Sequence, residues 1–453
     1  MMSTRPARPT KTGTAKTKVS DTPSTGRGTA QDTARAAPPP LPDSAHPVVK
    51  PALRRAWRDR NTVQFGLSPT HAMLLGPVDV ATGSFLDLLD GTRGLPLLRE
   101  RAKNMGLPDG HVDGLLRRLS DSGLLDDATG GGPAAVALRE KKTVLDRLRS
   151  DLASLSVTDR APGAALERLA ARRALRVQVR GAGRVGVLLA SLLSGAGVGE
   201  VDVQDVGRVE PWDVAPGGLP AESIGERRDE AARREVRHAA PDRPPRRTRA
   251  AHRDLGDDPA EPGFSLVVLA PRESLGVHAP DPAAAEPLIA SGTPHLYAGV
   301  VECTGVVGPL VLPGETGCAG CFDQQHADRD KTWPLLVTQW RSGRPRQVQP
   351  CDLALATAVA GVAAGHALAF LDGTLPSSAG ARWEASVPRL DWHARPVWPH
   401  PACPCGAGEK GKKGEGASEI EEPRATMAEQ QPSTDLSRKG HAARTSGTWR
   451  AHV

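Results

Sequence analysis

The stretch Leu175-Arg-Val-Gln-Val179 has the alternating valines of a buried strand and leads directly into Gly181-Ala-Gly-Arg-Val-Gly186. Residues 187–193 are apolar enough to form a helix packed on a sheet, and Val201-Asp-Val203 is typical of a second strand. A strand, a G-x-G-x-x-G turn and a helix in this order predict a Rossmann-type unit. Residues 174–405 are therefore predicted to form an α/β domain.

The glycines of this turn also indicate a ligand. Gly181, Gly183 and Gly186 would allow a tight turn and let a nucleotide approach the N–H groups at the start of the helix. Asp205 lies just after the second strand, about 20 positions past Gly186, where it could accept hydrogen bonds from ribose hydroxyls. The glycine turn thus predicts an ATP-type nucleotide site, and a turn kept only for packing beside an empty cleft is the alternative.

Four cysteines form two close pairs, Cys318-Ala-Gly-Cys321 and Cys403-Pro-Cys405. Four thiolates are the number that a tetrahedral structural zinc site requires. One structural Zn²⁺ bound by Cys318, Cys321, Cys403 and Cys405 is therefore predicted, and it would tie the C-terminal segment to the domain. A redox C-x-x-C motif or unliganded thiols are the alternatives. Cys303 is predicted to be buried in a strand, and Cys351 to be buried ahead of an alanine-rich helix over 353–371.

Composition divides the rest of the chain. Residues 1–47 and 406–453 are rich in small polar, basic, proline and glycine residues and are predicted to be disordered, because they cannot bury enough apolar area. Residues 48–129 are predicted to fold separately. Residues 130–173 form a linker, in which leucines at helical spacing predict a packing helix; these are Leu138, Leu145, Leu148, Leu152 and Leu155.

The region 48–129 combines strand and helix signals. Two strand-like runs at 62–66 and 72–75 come first, and Asp79 can cap the helix that follows. A second helix is expected over 95–104. A third would carry one apolar face, made by Val112, Leu115, Leu116 and Leu119. Strands with three short helices in so few residues predict a winged-helix (α+β) domain.

Charge and hydropathy exclude some classes of protein. The 453-residue chain is 39% hydrophobic and has a net charge of +6, with basic residues spread along it. Such diffuse charge is typical of a solvated surface and does not indicate binding of nucleic acid or membranes. No apolar run is expected to approach the roughly 20 residues of a membrane span, and no apolar segment follows the basic N-terminus. A cytoplasmic protein without disulfides is predicted.

The order of strand, glycine turn, helix, acidic residue, C-x-x-C, alanine-rich helix and cysteine pair resembles the ThiF superfamily of ubiquitin-activating-type enzymes. That resemblance implies ATP-dependent adenylation of a carboxylate on a peptide or small protein. The segments starting at His295, Val306 and Gly317 look like ThiF-like partner proteins of azole-forming peptide modification. Residues 50–127 resemble a PqqD-like winged-helix element, notably at Asp90-Gly-Thr-Arg93 and 119–125, which implies binding of a precursor's leader peptide.

The chain departs from the active members of this superfamily. Asp213 and Pro216 stand where they carry an asparagine and a phosphate-contacting arginine. Arg228 replaces a lysine and is a candidate phosphate contact. The segment Ala270-Pro-Arg-Glu273 has no counterpart of their magnesium-binding aspartate, so Mg²⁺ is not expected. The resemblance therefore supports the fold more strongly than the activity.

Two functions remain. The first is an adenylyltransferase-like protein that binds ATP and a peptide or small protein. The second is a catalytically degenerate partner that presents a leader peptide to a separate YcaO-like cyclodehydratase. A homodimer is also implied by the superfamily. A DNA-binding winged helix would need more basic residues on the third helix than Arg117 and Arg118. An NAD-dependent oxidoreductase leaves the four cysteines unexplained.

Overall fold

The structure is a computed structural model that describes residues 41–242, 263–343 and 348–408. Most of the two predicted disordered tails lies outside these described residues. The described residues form a small first domain, a helical linker and a larger domain built on one sheet.

The small first domain is α+β, with its sheet ahead of its helices. Its elements are β1 Pro47–Val49, β2 Arg55–Trp57, β3 Val63–Phe65, β4 Met73–Leu75, α1 Val80–Leu86, α2 Leu95–Asn104, α3 His111–Asp121 and β5 Leu125–Asp127. Strands β2, β3 and β4 form an antiparallel sheet whose residues Val63 and Phe65 are buried. The predicted apolar face of α3 packs in the same core. Asp79 caps α1 as predicted, since its carboxylate accepts from the Thr82 N–H at 2.7 Å.

The strand after α3 returns to the start of this domain. Leu125 of β5 lies opposite Val49 of β1, and neither strand joins the three-stranded sheet. This region thus combines helices and strands around one core, and its being a separate domain stays a prediction. Its identification as a winged helix stays a prediction, because here the three-stranded sheet precedes the helices.

The linker contains four helices and not one long helix: α4 Gly132–Glu140, α5 Lys142–Arg147, α6 Arg149–Thr158 and α7 Ala164–Arg172. The backbone leaves helical geometry at Lys141 and again at Leu148. Leu138 and Leu148 are buried in one cluster with residues of α7. The other three predicted leucines, Leu145, Leu152 and Leu155, are partly buried and pack against this cluster. The linker is joined to the first domain by Lys50, a buried side chain whose ammonium donates to the Asp159 carbonyl.

A seven-stranded mixed sheet forms the centre of the remaining chain. Its strands are β6 Arg176–Arg180, β7 Glu200–Gln204, β8 Leu266–Leu269, β9 His295–Val301, β10 Thr304–Val311, β11 Ala381–Ser386 and β12 His393–Pro396. The order is β12-β11-β10-β9-β8-β6-β7. Strands β7, β6, β8 and β9 are parallel, and β10 to β12 continue as an antiparallel meander. The predicted Rossmann-type α/β fold is confirmed.

Helices cover this sheet: α8 Arg184–Gly195, α9 Arg228–Ala239, α10 Ser274–His278, α11 Pro282–Ala290, α12 Ala319–Arg329, α13 Trp333–Ser342 and α14 Leu353–Leu371. Within the described ranges, α14 is long and apolar enough to cross a bilayer by length and composition. The expectation that no apolar run approaches this length was therefore wrong. In the fold, α14 packs against α8, β9 and β10, and its alanines let it lie close to them.

Cys303 corrects another expectation. It is exposed in the two-residue turn between β9 and β10, not buried in a strand. Both turn residues, Glu302 and Cys303, have positive φ angles of 44° and 68°. The turn carries neither the glycine nor the asparagine that usually marks such a hairpin, so the sequence reads as one continuous apolar strand.

Candidate functional site

The four predicted zinc ligands lie together. Cys318 precedes α12, Cys321 lies in its first turn, and Cys403 and Cys405 come from the segment after β12. All four Sγ atoms are within 4.8 Å of one another. The closest pairs are 3.8 Å for Cys318–Cys321, 3.6 Å for Cys318–Cys403 and 3.5 Å for Cys321–Cys405. Zn–S bonds of about 2.3 Å place tetrahedral sulfurs about 3.8 Å apart, so this donor set fits a zinc ion.

Glycines make this convergence possible. A Cβ on Gly320 would lie 2.9 Å from the Cys403 sulfur, and one on Gly317 would lie 2.3 Å from the Val397 carbonyl oxygen. The His400 N–H also donates to the Cys321 sulfur at 3.2 Å. Hydrogen bonding from Cys318 lowers the pKa of Cys321 to about 5, and burial raises the pKa of Cys403 to about 11. Cys321 is thus the thiol that loses its proton most readily, whereas Cys403 keeps its proton near neutral pH, and a bound cation would displace that proton.

The glycine turn lies between β6 and α8, as predicted. Gly181 has φ +114°, and a Cβ there would lie 1.9 Å from the Ala270 carbonyl oxygen. A Cβ on Gly186 would lie 2.0 Å from the Gly181 carbonyl oxygen. These two glycines are therefore required by the packing of strand and helix alone. Gly183 differs, because it faces a cleft and its nearest neighbour is the flexible side chain of Arg272 at 3.2 Å.

Asp205 reaches the glycine turn, but its carboxylate is already engaged. Oδ2 accepts from the Ala182 N–H at 2.5 Å, and Oδ1 accepts from Arg228 Nη1 at 2.9 Å. Arg228 also donates to the carbonyls of Val206 and Arg208. Both side chains are less than a tenth exposed. The structure therefore brings together the two residues predicted to contact ribose and phosphate, and it pairs them with each other.

A cleft of about 150 Å³ opens at the carboxyl ends of β6, β8 and β9. In the sheet, β6 lies between β7 and β8, so the strand order reverses at β6. Open α/β sheets bind ligands at this position, beyond the carboxyl ends of the strands. Gly183, Arg184 and Gly186 form one wall, and Ala270 and Arg272 form another. Cys351, which was predicted to be buried, is half-buried on the rim, and burial raises the pKa of its thiol.

An ion-pair network that sequence reasoning missed occupies this cleft. Arg272 donates to Asp213 Oδ1 at 2.7 Å and to the Glu210 carboxylate. Although burial opposes its charge, these hydrogen bonds raise the pKa of Arg272. Asp213 also faces Arg228, with 3.4 Å between Oδ2 and Nε. The only signal in the sequence was the position of Arg272 just after a buried strand, where parallel strands present functional side chains.

The first domain presents two sheet edges, β2 and β4. Beside β4, the apolar residues of α3 are buried, so its outer face carries polar groups including Asp113 and Arg117. Leu74 of β4 is 55% exposed. Arg118 donates to the Gly76 carbonyl at 2.8 Å, which ties α3 to the end of β4. The outer face of α3 is thus a polar surface beside one exposed leucine.

This geometry defines a class of protein, a Rossmann-type α/β domain with a glycine turn at a sheet switch point and a four-cysteine cluster that could hold a metal ion. The chain belongs to the ThiF family, whose profile matches residues 160–406, just over half of the sequence.

Solved structures with this fold include E. coli MccB in complex with MccA, at TM-score 0.56 and 14% identity over 80% of this chain and 99% of that one. MccB has also been solved with ATP, at TM-score 0.54 and 15% identity over 79% of this chain and 99% of that one. The heterocyclase TruD matches at TM-score 0.51 and 17% identity, covering 83% of this chain and 45% of TruD. Among curated proteins, none matches this sequence.

Proposed function

We propose that this protein is a ThiF-type peptide-binding partner in ribosomal peptide modification, and that it presents a precursor peptide to a separate YcaO-like cyclodehydratase without adenylating it. The observation that carries the proposal is the network of Arg272 and Arg228 with Glu210, Asp213 and Asp205. These arginines occupy the carboxylates nearest the glycine turn. The likeness to MccB, a microcin C7 biosynthetic enzyme, and to TruD, a heterocyclase, supports this setting.

Adenylyl transfer requires the triphosphate charge to be neutralised, commonly by Mg²⁺ held on carboxylates. Two carboxylates line the described cleft, Asp213 and Glu273. Asp213 is paired with Arg272, so among these residues only Glu273 is left without an ion pair to hold a metal ion. A cleft of about 150 Å³ also leaves little room beside Arg272. We therefore expect ATP-dependent pyrophosphate exchange to stay at background for the full-length protein, with or without peptide. Robust exchange would contradict the proposal.

An active adenylyltransferase is the second candidate, and the observation in its favour is the intact turn with Gly183 facing the cleft. In that case ATP raises the melting temperature, and Gly183→Val abolishes the rise because its side chain fills the phosphate approach. The zinc knuckle would have the same structural role in either function. The exchange assay therefore separates the two candidates.

The first domain is the proposed peptide-binding unit. Gly66 N–H donates to the Arg54 carbonyl across β2 and β3, so Val63 and Phe65 direct their main-chain groups toward β4. By the same alternation, the Leu74 N–H and C=O point outward from β4. A leader peptide can add there as a further strand beside α3.

Leu74→Pro tests this placement, because it removes the outward N–H while leaving the bonds from β4 to β3 in place. We expect a fluorescein-labelled leader peptide from an adjacent gene to bind at least about tenfold more weakly to this variant. The measurement is fluorescence anisotropy, with Leu74→Ala as the control that keeps the N–H. Unchanged affinity of Leu74→Pro would place the site elsewhere.

A further inference from the structure

A second surface of the first domain has no role in strand addition at β4. A groove of about 620 Å³ lies between β2 and α1. Its apolar floor includes Trp57, which is 48% exposed, and Val80, which is 84% exposed. A Cβ on Gly83 would lie 2.9 Å from the Trp57 ring, so the glycine lets the indole lie directly on α1. The groove thus exposes an aromatic face that nothing in the described chain covers.

Main-chain groups along this groove are free to pair. Strand β2 is an edge strand that bonds only to β3. Arg54 C=O accepts from Gly66 N–H, and Arg58 N–H donates to Thr62 C=O, so alternate residues of β2 face β3. The N–H and C=O groups of Arg55 and Trp57 therefore point away from the sheet. An extended segment could add along this edge.

The opposite edge offers fewer groups. The residues that face the same way as Leu74, one on each side of β4, are Ala72 and Gly76. The Ala72 N–H already donates to the Ser68 carbonyl, and the Gly76 carbonyl already accepts from Arg118. The β2 edge instead has two outward-facing residues in succession, Arg55 and Trp57, and an open groove beside them. Strand addition at β2 is thus less obstructed than at β4.

The charge around the β2 edge selects the partner. Arg54, Arg58 and Arg60 form no ion pair in the part of the chain that the structure describes, and all three are exposed. Arg55 is paired with Asp87 of α1, and Asp59 keeps its negative charge beside Arg58, so four arginines stand against two aspartates around this edge. The uncompensated charge is therefore positive, and an acidic segment is complementary to it.

We propose that the groove between β2 and α1 binds an extended acidic peptide segment, which adds to β2 as a strand and places an apolar side chain on Trp57. This inference rests on the proposed peptide-binding function and names the chemistry of a second segment of the precursor. Arg58 and Arg60 contact its carboxylates, and the outward groups of Arg55 and Trp57 pair with its main chain.

The test uses the full-length chain and a labelled peptide of the sequence Glu-Leu-Glu-Val-Glu-Leu-Glu, with the lysine-for-glutamate peptide as the charge control. Fluorescence anisotropy should show binding of the acidic peptide only. The double variant Arg58→Glu/Arg60→Glu should weaken it at least about tenfold, because two attractions become repulsions. Trp57→Ala should weaken it as well, whereas Leu74→Pro should leave it unchanged. Circular dichroism would establish that each variant is folded.

The two proposals fail in different ways. Loss of leader binding in Leu74→Pro concerns the β4 edge, and loss of acidic-peptide binding in Arg58→Glu/Arg60→Glu concerns the β2 groove. Equal binding of both charge variants of the peptide, no binding of the acidic one, or unchanged binding by the double variant would overturn the inference. Preference of the groove for duplex DNA over the acidic peptide would overturn it too.

Discussion

The three glycines of the turn have different structural roles, although they belong to one motif. Gly181 and Gly186 are needed because carbonyl oxygens lie about where their Cβ atoms would be, and Gly183 is the one that faces the cleft. Two of the three glycines of a G-x-G-x-x-G pattern can therefore be required by packing alone, whether or not a nucleotide binds.

We expect Gly186→Ala to destabilise the fold by about 3 kcal/mol, because its methyl group would lie 2.0 Å from a backbone oxygen that cannot move freely. Gly183→Ala is the matched control and should cost less than about 1 kcal/mol, because its nearest neighbour is a side-chain carbon of Arg272 at 3.2 Å and not a backbone atom at 2.0 Å. Urea unfolding followed by circular dichroism measures both. Equal effects of the two substitutions would show that Gly186 is not held as the structure indicates.

Asp205 and Arg228 show the same contrast between residue type and residue role. Sequence reasoning gave each a ligand, ribose for one and phosphate for the other. The structure joins them at 2.9 Å in a nearly buried pair. A buried charge without its partner is strongly destabilising, so this pairing accounts for both residues without a nucleotide.

At the scale of elements, the strand edges of the first domain decide what it can bind. The alternation of hydrogen bonds in β2, β3 and β4 leaves outward groups at Leu74 on one edge and at Arg55 and Trp57 on the other. The apolar face of α3 is buried in the core. The proposed peptide recognition by this domain would therefore depend on strand edges and on the α1 side, more than on α3.

The linker helices show how an amphipathic pattern can be divided. Leu138 and Leu148 are buried in one cluster although they belong to different helices, because the breaks at Lys141 and Leu148 turn the chain. All five predicted leucines therefore pack in or against one cluster, although they do not lie on one continuous helix.

At the scale of the whole molecule, the cysteine cluster lies where the end of the described chain meets α12. Cys318 and Cys321 precede or begin α12, and Cys403 and Cys405 come from the segment after β12. Hydrogen bonds join the two segments there, including one of 2.9 Å between His400 and Asp328.

We expect the purified protein to contain about one zinc per chain, and Cys403→Ser to lower that content and the melting temperature, because a structural site needs all four ligands. Metal analysis and thermal unfolding are the measurements. Cys303→Ser is the matched control, since Cys303 is an exposed cysteine outside the cluster. Zinc that persists in Cys403→Ser, or is lost in Cys303→Ser, would contradict the assignment.

The sequence alone determined the Rossmann-type domain and the membership of the cysteine cluster. These depend on local patterns: valine alternation in β6, glycines at fixed spacing, and two cysteine pairs beside glycine or proline. Strand, turn and helix preferences act between near neighbours, so they can be read along the chain.

Only the tertiary structure decided which charged groups meet. Arg272 and Asp213 are far apart in sequence and 2.7 Å apart in the cleft, and Cys303 is exposed although it lies between two largely apolar runs. Ion pairing and exposure depend on how β6, β8 and β9 lie beside one another, and no local pattern encodes that distance. The arginine network that argues against catalysis was therefore invisible until the strands were assembled.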